Sequence, residues 1–180
     1  MHQNFVYLPP NPLIKKRLDK LITLYDGAID KGYSLSNQKR FPPTEDSVKI
    51  INKKLGITLP DSIIYFSQNS RYFYSGLGKD FDNHYHILRL NQHCRKMRRR
   101  ALKGQGDYPG QWAYCLPTHF IVLWGSMMDD DYTCLDTSKF DTSTGEYELT
   151  YWSPPRYDKR YPCYSSFIDF IEQTVDFIIR

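Results

Sequence analysis

The most constraining feature of this sequence is that its apolar periodicity changes twice along the chain. From Ile14 to Phe66, apolar residues recur every three or four positions, which is typical of amphipathic helices. Short aromatic and β-branched segments follow, separated by turn residues, and they predict strands: RYFYSGL, HYHILRL, HFIVLW, DYTCL and EYELTYW. A helical stripe returns from Ser165 to Ile179. Helices at both ends of a run of strands predict a single α+β domain with a central, mainly antiparallel sheet of about five or six strands.

The first predicted helix runs from about Pro12 to Gly32. Its apolar side carries Leu18, Leu21, Ile22 and Tyr25, and lysines and aspartates occupy the opposite side. A polar stretch, SLSNQKRFPP, separates this helix from the rest of the chain. We therefore expect residues 1–43 to form an N-terminal extension whose amphipathic helix packs on the core, and residues 44–180 to form the main domain.

Two shorter helices are predicted before the strands begin. Thr44 is placed to cap the first of them, and Gly56 is placed to end it. Leu59-Pro60-Asp61 opens the second, because proline is favoured in the first turn of a helix.

Composition excludes several classes of protein. The chain has 180 residues with a formal charge of +4, which is enough length for one domain and too little basic excess to indicate nucleic-acid binding by itself. The four cysteines are widely spaced and form no CxxC pair, so they predict neither a zinc site nor a disulfide framework. No secretory leader and no apolar run of membrane-spanning length occur, which predicts a cytoplasmic location without membrane contact.

The stretch GKDFDNHYHILRLN raises the question of a metal site. Asp80, Asp82, His84 and His86 fall on every second residue, and on a strand all four side chains would point to one face. However, Asp80, Asp82 and Asn83 are turn residues that interrupt the alternation before His84. Two histidines without a third ligand do not define a site, so we predict no metal, and a metal-dependent hydrolase is the weaker alternative.

No motif in the chain indicates catalysis. The GLGK at residues 76–79 lacks the spacing of a phosphate-binding loop, and Asp80 stands where that loop needs a hydroxyl residue. Neither G-x-S-x-G nor H-E-x-x-H occurs. We predict a protein that is not an enzyme and that requires no cofactor.

Charge is segregated along the sequence. Residues 91–103 contain six Lys or Arg residues and no acid, whereas Met128 to Glu148 contains seven acids and one lysine, a formal charge of −6. The basic segment, predicted to be helical, makes nucleic-acid binding an alternative function. The acidic segment instead suits binding to a protein of complementary charge.

The order of several segments resembles the SUKH superfamily. The matching pieces are LGITLPDSIIYF, DFDNHYHILRLN, LPTHFIVLW, DDDYTCLDTS, GEYELTYW and SFIDFIEQTVDFI, and together they cover about residues 44–179. The superfamily includes many bacterial immunity proteins and some eukaryotic regulators of cell-wall synthesis. The resemblance implies a single α+β domain without enzymatic activity that binds and neutralises a cognate protein toxin by occluding its active site. A regulatory interaction module is the alternative within the same resemblance.

A surface that neutralises an enzyme needs aromatic anchors beside complementary charge. Two turns combine acids with a tyrosine, and if the strands that follow them are neighbours, both turns lie at one edge of the sheet. The predicted partner contacts are Asp80, Asp82, Tyr85, Asp129, Asp130, Asp131 and Tyr132. Should this patch be the wrong surface, the basic segment from Arg95 to Lys103 is the next candidate.

Overall fold

The computed structural model describes residues 11–32, 42–73, 75–79, 85–105, 116–126, 131–152 and 163–179. Five helices and four strands lie in these ranges. In chain order they are α1 (Pro12–Asp30), α2 (Glu45–Leu55), α3 (Asp61–Asn69), α4 (His86–Leu102), β1 (Phe120–Ser126), β2 (Asp131–Asp141), β3 (Glu146–Trp152), β4 (Cys163–Tyr164) and α5 (Phe167–Ile179). The α+β class predicted from the sequence is confirmed. None of the helices in the described ranges has both the length and the apolar character of a membrane span.

The sheet has the strand order β1-β2-β3-β4, and all three pairings are antiparallel. The predicted antiparallel arrangement is therefore confirmed, but the described residues form four strands and not five or six. The predictions of strands over RYFYSGL and HYHILRL are wrong, whereas the short strand β4 was not predicted. Gly76 has φ +66° in the first segment, a left-handed conformation that interrupts an extended chain.

The second of these segments contributes one bridge residue and the start of a helix. Tyr85 forms an isolated antiparallel bridge with Lys79, and α4 begins at His86. This segment is helical, although its first residues alternate between apolar and polar, because Ile87, Leu90 and Cys94 form one buried stripe on α4. His86 is therefore a helical residue and not a strand residue as predicted, whereas His84 lies outside the described residues.

Capping residues stand at the ends of α1 and α2, and the sequence predicted two of them, Thr44 and Gly56. The Leu13 N–H donates to Asn11 Oδ1 (2.9 Å) at the start of α1, and Pro12 occupies its first turn. Thr44 and Ser47 form a reciprocal capping box at α2, which ends at Gly56 with φ +74°.

Helices cover both faces of the sheet. One face and helices α1, α2, α3 and α5 enclose the larger core, which includes Leu18, Ile51, Ile63, Phe66, Ile121, Leu135, Leu149, Phe167 and Ile171. The other face and α4 enclose a smaller core of Leu90, Cys94, Leu116, Phe120, Val122, Tyr132, Cys134 and Trp152. Because neighbouring residues such as Ile121 and Val122 point to opposite faces, β1, β2 and β3 each contribute to both cores.

Helix α1 lies against α5 and α3. Leu18, Leu21 and Tyr25 are buried, and Arg17 binds Glu172 of α5 through Nε (2.6 Å) and Nη2 (2.5 Å). The buried carboxylate of Asp26 accepts from the Ser70 hydroxyl (2.6 Å) after the end of α3. The division of the chain at residue 43 stays a prediction.

Helix α4 is joined to the sheet by the side chain of Asn91, which is 3% exposed. Its Nδ2 donates to the Val122 carbonyl (2.7 Å) and to the Ile87 carbonyl (2.8 Å), and its Oδ1 accepts from the Val122 N–H (3.0 Å). Strand β1 is at one edge of the described sheet, so its outer backbone groups have no neighbouring strand. The amide of Asn91 pairs both of these groups at Val122.

Replacing Asn91 with leucine should destabilise the protein strongly. The Asn91→Leu variant leaves the Val122 N–H and carbonyl buried without partners, which costs about 2–5 kcal/mol for the two groups together. Urea unfolding measures the loss, and Gln92→Leu, an exposed neighbour on the same helix, is the matched control. An Asn91→Leu protein as stable as the control would show that this amide does not anchor α4.

Candidate functional site

The structure describes three of the seven predicted contact residues. Asp80, Asp82, Asp129 and Asp130 lie outside the described residues. Tyr85 is the residue before α4, whereas Asp131 and Tyr132 are the first two residues of β2. That these residues form one contact surface stays a prediction.

The two tyrosines point into the protein. Tyr132 is 1% exposed and stacks on Trp152 across the β2-β3 pair, with ring centroids 5.7 Å apart. Tyr85 is 9% exposed and belongs to the larger core, and the Lys79 ammonium lies 5.9 Å from its ring. Neither ring offers the exposed area that a partner-binding aromatic anchor needs.

Asp131 shares its sheet face with two aromatic residues that were not predicted as contacts, Trp124 and Tyr151. Alternation places Asp131 and Thr133 on the face opposite to Tyr132, and Thr133 pairs with Trp124 on one side and Tyr151 on the other. Trp124 and Tyr151 are half-buried, and the ring centroids of Trp124 and Phe170 of α5 are 5.2 Å apart. The sequence did contain one signal, because adjacent residues of a strand point to opposite faces, so Asp131 and Tyr132 could not both belong to one contact surface.

The acidic segment does not present a charge of −6 to solvent. Asp136 is 7% exposed and Glu146 is 4% exposed. Glu148 accepts from Lys139 (2.6 Å), and Asp141 caps the β2-β3 turn by accepting from the Ser143 N–H (2.8 Å). Among its described members, the acids therefore serve the fold more than they form a binding surface.

The basic segment, by contrast, is a helix with an exposed charged face. Helix α4 carries Arg89, Arg95, Lys96, Arg98, Arg99 and Arg100, with Lys103 at its C-cap and no acid anywhere in it. The side chains buried on its other side are Ile87, Leu90, Asn91 and Cys94. The helix predicted for residues 91–103 is confirmed, although it starts five residues earlier.

A notch of about 300 Å³ opens beside this helix. It lies between Asn91, Cys94, Arg95 and Arg98 of α4 and the segment Leu116, Pro117, Thr118 and Phe120. Arg98 Nη1 donates to the Leu116 carbonyl (2.9 Å) and so joins the two walls. The notch thus has a mainly apolar floor and a cationic rim.

A larger groove, of about 580 Å³, lies between α2 on one side and Gly78, Lys79 and Tyr85 on the other. Thr44, Ser47 and Lys49 line it, but the first two hydroxyls are occupied in the α2 capping box and Lys49 pairs with Glu45 (2.6 Å). Across the described ranges, no group of three or more histidine, cysteine or acidic side chains could hold a metal ion. The groove therefore contains no recognisable catalytic arrangement among its described residues.

Glu146 is a buried carboxylate with a large pKa shift. It lies at the start of β3, where its Oε2 accepts from the Phe167 N–H of α5 (3.3 Å) and the Ser62 hydroxyl of α3 lies close by. The pKa of Glu146 is raised from 4.5 to about 7, mainly by burial and in part by the nearby charges of Asp61 and Asp169. The Ser62 hydroxyl and the Phe167 N–H oppose this rise because they favour the ionised form.

The raised pKa predicts a pH dependence of stability. Because the folded protein holds this proton more tightly than the unfolded chain, the contribution is complete below pH 4.5 and is lost as pH rises to about 7. The Glu146→Gln variant should lack this dependence, so the difference in unfolding free energy between the two proteins should change by up to about 3 kcal/mol between pH 4.5 and 8. Urea unfolding across that range measures it, with Glu148→Gln on the same strand as control. A constant difference for Glu146→Gln would contradict the assignment.

Comparison with known families gives a match that spans most of these elements. Residues 42–173 match the SMI1 / KNR4 family (SUKH-1), a region that runs from the start of α2 into α5 and leaves α1 outside. No curated protein matches the chain. The matched region is well over half of the 180 residues. The chain therefore belongs to the SMI1 / KNR4 family, SUKH-1, as its resemblance to the SUKH superfamily predicted.

Proposed function

We propose that this protein is a non-enzymatic binding module that serves as an immunity protein and neutralises a protein toxin by covering its active site. The observation that carries the proposal is the family match over residues 42–173, because bacterial members of the resembling superfamily commonly act in this way. A cytoplasmic location follows from the proposal, since an immunity protein must meet the toxin where the toxin acts.

The architecture is compatible with an inhibitor that works by contact alone. Helices cover both faces of a small sheet, and both cores are filled by apolar side chains. A rigid, preorganised surface loses little conformational entropy on binding, which favours tight association. The second candidate function, nucleic-acid binding, is favoured by one observation, the basic face of α4.

The proposal predicts neutralisation of a specific toxin. The probe is the protein encoded by the neighbouring reading frame, expressed in a bacterial host with and without this chain. Expression of the neighbour alone should stop growth, co-expression should restore it, and the purified pair should form a complex with a nanomolar dissociation constant, in the range of about 1–100 nM. An unrelated toxin, which this chain should not neutralise, is the control. A toxic neighbour that this chain fails to bind or relieve would contradict the proposal.

The proposal also predicts that the protein needs no metal. Protein purified without chelator should contain no stoichiometric zinc or manganese by elemental analysis, because two imidazoles alone make a weak site. Stoichiometric metal that is lost in the His84→Ala, His86→Ala double variant would instead favour a metal-dependent hydrolase.

A further inference from the structure

The outward side of α4 carries an unusual concentration of positive charge. Arg95, Lys96, Arg99, Arg100 and Lys103 are all exposed, and we call these five residues the basic face. Residues 96, 99, 100 and 103 recur at a spacing of three or four, which places them on one side of the helix. At 1.5 Å per residue, the basic face is about 12 Å long.

The basic face is not neutralised within the described part of the protein. No described carboxylate lies within ion-pairing distance of its five side chains, and the only hydrogen bond that they form there is between Arg99 Nε and the Arg95 carbonyl (3.3 Å). Exposed lysines also occur on α1 and α2, but those helices carry acids as well. Helix α4 carries none.

The helix dipole accounts for only part of this arrangement. Cations in the last turn of a helix are stabilised by the partial negative charge there, which applies to Arg99 and Arg100. The effect fades within one turn, so it does not account for Arg95 and Lys96. Like charges three or four residues apart repel each other by about 0.2–0.5 kcal/mol per pair. The cluster therefore disfavours the isolated helix and is relieved by an anionic partner.

The notch beside the basic face indicates the class of that partner. Leu116, Pro117 and Phe120 give it apolar walls, and Arg95 and Arg98 lie at its rim. Its volume of about 300 Å³ is at the lower limit of small-molecule sites, and it suits one apolar side chain of a larger molecule. An apolar anchor surrounded by charge is the common arrangement of a protein–protein contact.

A nucleic acid fits these features less well. Single-stranded nucleic acids are held mainly by aromatic side chains that stack on bases, and α4 contains no Phe, Tyr or Trp. Duplex backbones supply phosphates but no apolar group for the notch. A protein segment supplies both carboxylates and an apolar side chain.

We infer that the basic face and the notch form a docking surface for an acidic protein segment that inserts one apolar side chain into the notch. The inference rests on the proposed function, in which this segment belongs to the toxin. Helix α4 covers the sheet face opposite to the one that Asp131 shares with Trp124 and Tyr151. Asp131, the one acid of the predicted patch that the structure describes, therefore lies on the other side of the sheet from the docking surface and can be altered separately.

The test that does not depend on the toxin uses two synthetic probes. A peptide of repeated Glu-Glu-Leu triplets and a short DNA duplex are each titrated into ¹⁵N-labelled protein at about 150 mM salt, where long-range attraction is screened. The peptide should shift the resonances of α4 and of residues 116–120, and replacing its leucines with serine should weaken binding about tenfold. Tighter binding of the duplex, or shifts confined to residues 131–133 or to α1 and α2, would overturn the inference.

Charge-matched variants extend the test to the toxin. The variant Lys96→Glu, Arg99→Glu, Arg100→Glu, Lys103→Glu should weaken peptide and toxin binding about a hundredfold. The control Lys16→Glu, Lys20→Glu, Lys53→Glu, Lys54→Glu changes exposed lysines by the same net charge and should leave binding within about threefold. Thr118→Trp fills the notch without altering charge, so it should also weaken binding. This variant decides the question if the charge reversal on α4 prevents folding.

Charge reversal in the predicted acidic patch is the counterpart of the reversal on α4. Reversal of Asp129, Asp130 and Asp131 to lysine should leave peptide and toxin binding intact, whereas loss of toxin binding in this variant alone would overturn the docking surface in favour of the patch. If the unaltered protein fails to neutralise the toxin, the proposed function fails, and the peptide titration still decides the surface.

Discussion

The arrangement of this domain depends on the two-sided hydrogen bonding between the Asn91 amide and the backbone of Val122. An edge strand needs partners for its outer N–H and carbonyl groups, and a helix has no backbone groups to offer in its middle. One side-chain amide, buried at the helix-strand contact, supplies both a donor and an acceptor. It thereby holds α4 across β1 with its apolar stripe inward, and the cations of the helix are left to face solvent.

The same contact shapes the candidate docking surface. Leu90 and Cys94 pack with Phe120, Val122 and Leu116 in the smaller core, and the notch opens where this packing ends. Charged residues on one side of a helix are then held in a constant position relative to an apolar recess. Such preorganisation reduces the entropic cost of binding, which matters for a protein whose proposed task is contact with a toxin rather than catalysis.

The formal charge of a segment differs here from the charge that the folded protein exposes to solvent. The acidic segment has a formal charge of −6, yet Asp136 and Glu146 are buried, and Glu148 pairs with Lys139. The basic segment keeps its charge because α4 buries only one side, and none of its buried positions is cationic. A count over a strand-turn-strand segment overstates surface charge, since about half of the strand positions point inward.

The sequence by itself determined the α+β class, the bounds of the capped helices and three of the strands, because caps, glycines and apolar periods act within a few residues. It also determined the family, which the match over residues 42–173 shows. It misassigned HYHILRL, where a short alternation and a helical stripe overlap and only packing of Ile87 and Leu90 against the domain decides between them. Tertiary structure alone decided that Tyr132 faces α4 and that Asn91 pairs with a residue 31 positions away, because both depend on contacts between segments that no local pattern encodes.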